Sequence, residues 1–138
     1  MNLSEHFTLD EFTSTIHRNI DNEAPPAMLK QLVATAIALE GVRNLLQAPI
    51  TVNSAYRSPD LNKAVGGALK SQHMKGEAVD FTAQAFGTAA QIVNAIKNSA
   101  IPYDQLILEY DKWVHISFSE KPRKQALIID KKGTRNFS

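Results

Sequence analysis

Two periodicities divide the chain. Positions Met28, Leu32, Thr35/Ala36, Leu39, Val42 and Leu46 recur every three or four residues, the spacing of one helix face. This predicts the longest helix. Pro25 and Pro26 open it, because proline is tolerated in a first turn. Pro49 closes it, because the residue before a proline is pushed out of the helical region. Thr8 followed by Glu11 reads as a capping box on a short helical turn before it, and residues 13–24 read as a loop.

Beyond Pro49 the period shortens. Residues 50–53 predict a strand, 54–60 a loop, 60–65 a brief helix broken by Gly66 and Gly67, and 78–81 a second strand. Thr88 and Gln91 form a second capping box, opening a helix through about Ser99 with Ile92, Val93 and Ile96 on its apolar face. Residues 105–110 and 113–118 predict a β-hairpin, 126–129 an edge strand, and the basic tail 131–138 frays. Helices come early and strands late, so the expected class is α+β: one small domain over residues 1–138 with a mainly antiparallel sheet.

Composition narrows the functional classes. A 43% hydrophobic content supports a core in a chain of 138 residues. A net charge of +1 supplies no field to recruit nucleic acid or anionic lipid, and no apolar run approaches the roughly 20 residues that span a bilayer. The N-terminus lacks a basic and an apolar region, so no signal peptide is expected. Cysteine is absent, so a metal here must use His, Asp or Glu.

Strand parity selects candidates. Val114, Ile116 and Phe118 are apolar and point to the core, leaving Trp113, His115 and Ser117 on the other face. The same rule separates Ala78 and Asp80 from Val79 and Phe81. Gly76 lets the chain turn between His73 and Asp80. His73, Asp80 and His115 thus make a three-ligand set for one zinc ion with its fourth position open. Taken singly, His73 reads as a surface histidine sooner than as a ligand, and Asp80 as a strand-end cap; His6 and His17 lie in polar segments and read as surface residues.

Parity also bears on Glu109. A two-residue turn would pair it with Val114 and bury it. A three-residue turn, Tyr110 to Lys112, pairs it with Trp113 on the His115 face, and the cost of burying a carboxylate favours the second.

Ser71, His73, Gly76, Ala78 and Asp80, followed by Trp113 and His115, resemble the signature of the zinc D-alanyl-D-alanine peptidase family: D,D-carboxypeptidases, D,D-dipeptidases and phage L-alanyl-D-glutamate endolysins. Tyr56, Arg57 and Ser58 resemble its Tyr-Arg-Ser element, and the likeness spans roughly residues 7–118. It implies helices on one side of an antiparallel sheet and a zinc groove across the other. It implies one zinc on His73, Asp80 and His115, Arg57 on substrate oxygens, Ser71 near substrate, and Trp113 as a wall of the groove. Several members carry an acid three residues before the last histidine. This chain has Lys112 there, so Glu109 is the expected general base and Asp111 the runner-up. The implied activity is hydrolysis next to D-residues in peptidoglycan stem peptides, by a monomer of phage type made in the cytoplasm and released through a holin. The alternative is a non-catalytic wall-binding or virion module.

Overall fold

The computed structural model describes residues 1–138. Helix α1 (Leu9–Thr13) carries the expected reciprocal cap: the Glu11 backbone N–H donates to Thr8 Oγ1, and the Thr8 N–H donates to the Glu11 carboxylate. A 3-10 turn (Pro26–Met28) precedes helix α2 (Leu29–Leu46), so the helix proper starts three residues after Pro26. Its buried residues are Leu32, Thr35, Ala36, Leu39, Val42 and Leu46, the face expected from the spacing. It stops at Gln47, whose left-handed backbone (φ 51) ends the helix two residues before Pro49.

Strand β1 (Thr51–Ser54) leads to helix α3 (Pro59–Ala64), which starts one residue before the expected position because Ser58 caps it and Pro59 fills its first turn. Strand β2 (Ala78–Thr82) is followed by helix α4 (Ala89–Lys97) with its Thr88–Gln91 capping box. Strands β3 (Gln105–Glu109), β4 (Trp113–Ser117), β5 (Gln125–Asp130) and β6 (Gly133–Asn136) complete the chain. The six strands form one sheet in the order β1-β2-β4-β3-β5-β6, antiparallel throughout except for β3 with β5. The fold is α+β.

Two expectations about the C-terminus are corrected. Residues 126–129 lie in a strand interior to the sheet, and the tail that polarity marked as frayed forms the edge strand β6. The reason is local: Arg135 binds both oxygens of Asp130 at 3.0 and 2.8 Å, the Lys132 N–H also donates to Asp130, and Gly133 takes φ 103 in the turn. Every residue of β6 is exposed, so no apolar alternation announces it.

Val79, Phe81, Leu106, Leu108, Val114 and Ile116 form one face of the sheet and share a core with α2 and with Ile92, Val93 and Ile96 of α4. Each such aliphatic side chain contributes about 1.5–3 kcal/mol by leaving water, which holds the sheet rigid beneath its other face. No helix is long and apolar enough to cross a membrane.

From β4 the chain passes over the start of β3 before entering β5, and Asp104, just ahead of β3, meets it there. The buried Asp104 carboxylate (residue exposure 3%) accepts from Arg123 through Nε, Nη2 and the backbone N–H at 2.8–2.9 Å, and from Gln72 Nε2 at 2.8 Å. The Arg123 hydrogen bonds, against the opposing cost of burial, hold its pKa down at about 2. A carboxylate depressed in the folded state stabilises above its unfolded pKa of about 3.9 and loses that contribution as pH falls toward the folded value. Asp104→Asn is therefore expected to cost about 2 kcal/mol at neutral pH, with the gap to wild type closing as pH falls from about 4 toward 2; chemical denaturation across that range measures it, and a pH-independent gap would refute the ionic account.

Candidate metal centre

The sheet register brings the candidates together. Asp80 on β2 pairs with His115 on β4 and with Ser54 on β1. Both side chains therefore project from the face opposite the core. The His115 Nδ1 lies 2.9 Å from Asp80 Oδ1. His73 arrives from the loop before β2, with Nε2 at 3.3 Å from Asp80 Oδ2. Its ring stands edge-on to that of His115, centroids 5.1 Å apart.

The loop is held at several points. The His73 Nδ1–H donates to the Ala55 carbonyl at 2.6 Å, which fixes the tautomer and leaves Nε2 as the free donor atom. The Arg57 N–H donates to the His73 carbonyl at 3.1 Å. Gly76 takes φ +70, and a Cβ there would press on Met28 of the 3-10 turn and Leu32 of α2 at 2.9 and 3.1 Å. Thr35 of α2 donates to the Gly76 carbonyl at 2.5 Å. The left-handed backbone of the turn is what requires the glycine.

The donor set suits zinc. One ligand atom from each of His73, Asp80 and His115 lies within 4.8 Å of the others. His73 Nε2 stands 3.3 Å from Asp80 Oδ2 and His115 Nδ1 2.9 Å from Asp80 Oδ1, so the two imidazoles flank the two oxygens of one carboxylate, a donor set of the kind zinc takes. The side chains are 4%, 10% and 12% exposed, so water competes little for them. Burial raises the Asp80 pKa, but the hydrogen bonds from His115 and His73 and their charge outweigh it and hold the group well below the usual carboxylate range. The carboxylate therefore stands ready as an anionic ligand.

Around these three lie the other sequence candidates. Arg57 Nη2 is 3.6 Å from Asp80 Oδ2, and Nη1 donates to Asn62 Oδ1 at 3.3 Å. Glu109 pairs with Trp113, in the three-residue-loop register, and its Oε1 is 3.8 Å from His115 Nδ1. Burial, then the charge of Asp80, raises its pKa, opposed by the charges of His115 and Arg57. Trp113 Nε1 is buried and has no hydrogen-bond partner, and its ring leans against Tyr110 at 5.8 Å. Ser71 Oγ accepts from the His73 N–H at 3.2 Å, so it supports the ligand's backbone. Asp111 sits at the exposed tip of the loop. His6 pairs with Glu40 away from the three ligands, at 2.7 Å.

Sequence reasoning missed the buried amides. Asn22 donates to the Thr13 and Tyr56 carbonyls and accepts from the Ser58 N–H, tying down the Tyr56–Ser58 segment. Asn62 donates to the Ala68 carbonyl and orients Arg57. The fold packs Asn62 tightly: a Cβ at Gly67 would collide with its side-chain oxygen, a closeness that no pattern in the sequence announces.

Three side chains that could hold one metal ion converge here, with a carboxylate and a guanidinium beside them. Comparison with known proteins agrees. The model of the family described as Peptidase M15 matches residues 5–117, and the chain belongs to that family. It is also similar to the zinc D-Ala-D-Ala carboxypeptidase of Streptomyces albus G, 39% identical over 67 residues, which cover 48% of this chain and 26% of that protein. The chain thus spans about a quarter of that relative's length. With the family, the donor set identifies zinc as the fitting cofactor of a metallopeptidase centre.

The zinc assignment has a direct check. His73→Ala and Asp80→Ala are each expected to abolish tight zinc binding while the helix–sheet core stays folded. Elemental analysis and circular dichroism of the two variants report this; full zinc retention in both would remove these residues as ligands.

Proposed function

We propose that this chain hydrolyses peptide bonds next to D-amino acids in peptidoglycan stem peptides, with one zinc ion held by His73, Asp80 and His115. One observation carries the reading: the three ligand atoms converge where Arg57 and Glu109 also arrive, on the sheet face turned from the core. The similarity to a relative named for D-Ala-D-Ala carboxypeptidase supports the substrate class. That substrate puts its place of action at the cell wall.

Held by His73, Asp80 and His115, a zinc ion would supply Lewis acidity toward the scissile carbonyl and toward water. The chain's own residues do the rest. Glu109 stands on a strand rather than on the exposed loop tip that carries Asp111, so its carboxylate is placed to take a proton from the attacking water and return it to the leaving amine. Its burial favours the protonated form, which suits the second of these steps. Arg57, steered by Asn62, presents a planar fork for a substrate carboxylate or the developing oxyanion. Trp113 walls the site beside Glu109, and Ser71 lies on the His73 side.

Mass spectrometry of muropeptides after digestion tests the reading. Loss of a terminal D-residue marks a carboxypeptidase; scission inside the stem marks an endopeptidase of endolysin type. Intact muropeptides with the zinc-loaded protein would overturn the enzymatic reading in favour of a wall-binding module.

Two variants test the roles. Glu109→Gln should lower turnover by about 10²–10⁴-fold with zinc still bound, while Asp111→Asn does much less; the opposite ranking would move the base to the loop tip. Arg57→Lys keeps the charge and loses the fork, and should cost about 1–3 kcal/mol in transition-state binding, read from kcat/KM. An unchanged value would exclude the contact.

A further inference from the structure

Asp104 does more than join two strands. Its carboxylate also holds Gln72, the residue immediately before His73. The Gln72 backbone closes the turn that presents the histidine: its carbonyl accepts from the Lys75 N–H at 3.1 Å and the Glu77 N–H at 3.0 Å. On the other side Arg123 grips the same carboxylate in a bidentate fork, and its Nη2 reaches Gln72 Oε1 at 3.5 Å. Asp104 is itself anchored to the sheet. Its N–H donates to the carbonyl of Ser117, two residues from His115 on β4, and its carbonyl accepts from the Gln125 N–H.

We infer that Asp104 and Arg123, acting through Gln72, form a latch that positions His73 relative to Asp80 and His115, so that the segment carrying Arg123 sets metal affinity. Arg123 lies beyond residue 117, where the family match ends. The inference rests on His73 being a zinc ligand. None of the three latch residues touches the metal donors; they are positioning residues.

The physical argument is one of tolerance. Metal-site side chains must be held within about 0.5 Å of their working geometry. The His73 imidazole is fixed by the Ala55 carbonyl, but the backbone carrying it is an irregular loop without ladder hydrogen bonds of its own. An exposed ion pair would restrain it weakly. Here the carboxylate is buried and takes four charge-assisted hydrogen bonds from two segments, a stiffer arrangement. Loss of an outer partner of a metal ligand typically costs 10–100-fold in metal affinity.

The test uses Gln72→Leu, which fills similar space without a donor, and Gln72→Lys, which keeps a donor for Asp104. Zinc dissociation constants come from chelator competition, ligand geometry from the visible spectrum of the cobalt-substituted protein, and fold integrity from thermal unfolding of the zinc-free form. Gln72→Leu is expected to bind zinc about 10-fold more weakly, with an altered cobalt spectrum and wild-type unfolding of the zinc-free protein; Gln72→Lys should recover most of the affinity. Wild-type affinity and spectrum in Gln72→Leu, or a loss that Gln72→Lys does not recover, overturns the latch. Wild-type binding in Gln72→Leu beside lost binding in His73→Ala overturns the latch alone, whereas zinc retained by His73→Ala overturns the ligand reading and the latch with it.

Discussion

A buried carboxylate is costly unless charges and hydrogen bonds compensate it, and Asp80 is the carboxylate this structure must satisfy. It lies in the middle of β2, flanked by a strand on each side and largely buried. His115 reaches it across the ladder, His73 from a loop and Arg57 from the segment after β1. Three separate parts of the chain therefore meet at one pair of oxygens. A divalent cation at this point would satisfy the same charge, and the groups that now surround Asp80 are those a zinc ion accepts as ligands. Electrostatic satisfaction and metal readiness are one arrangement.

The sheet supplies the precision. Val79, Phe81, Val114 and Ile116 are locked into the core, and strict alternation then leaves Asp80 and His115 no choice of face. Glu109 follows from the same rule through the hairpin loop. That loop places Tyr110 and Asp111 at φ 52 and 58 without a glycine, a left-handed backbone that costs about 1–2 kcal/mol per residue. The sequence keeps this strained connection, and the register it enforces holds a carboxylate beside His115.

The loop bearing His73 cannot rely on a ladder, so discrete contacts replace it. Thr35 and the space left by Gly76 fasten it to α2, the Ala55 carbonyl and the Arg57 N–H fasten it to the strand-end beside Asp80, and Gln72 fastens it to Asp104. The helices of this small fold thus bear on the site as well as on the core.

Much of this was written in local patterns. The α2 face, both capping boxes, the β2 and β4 faces and the Glu109–Trp113 register follow from periodicity and from the cost of burying charge, which act over a few residues. The likeness of the histidine–aspartate motif to a zinc peptidase family is equally local. Other features answer to no local rule. Strand β6 is polar on both faces, so no alternation marks it, and it is ordered by its ladder to β5. Asn22 and Asp104 are hydrophilic residues whose burial depends on partners 9 to 36 positions away or on segments brought together only by the strand order. Sequence by itself determined which side chains share a face, because alternation is a property of the backbone; only the tertiary structure decided which carbonyl, amide or carboxylate holds each of them in place, because those partners become neighbours only when the chain closes on its core.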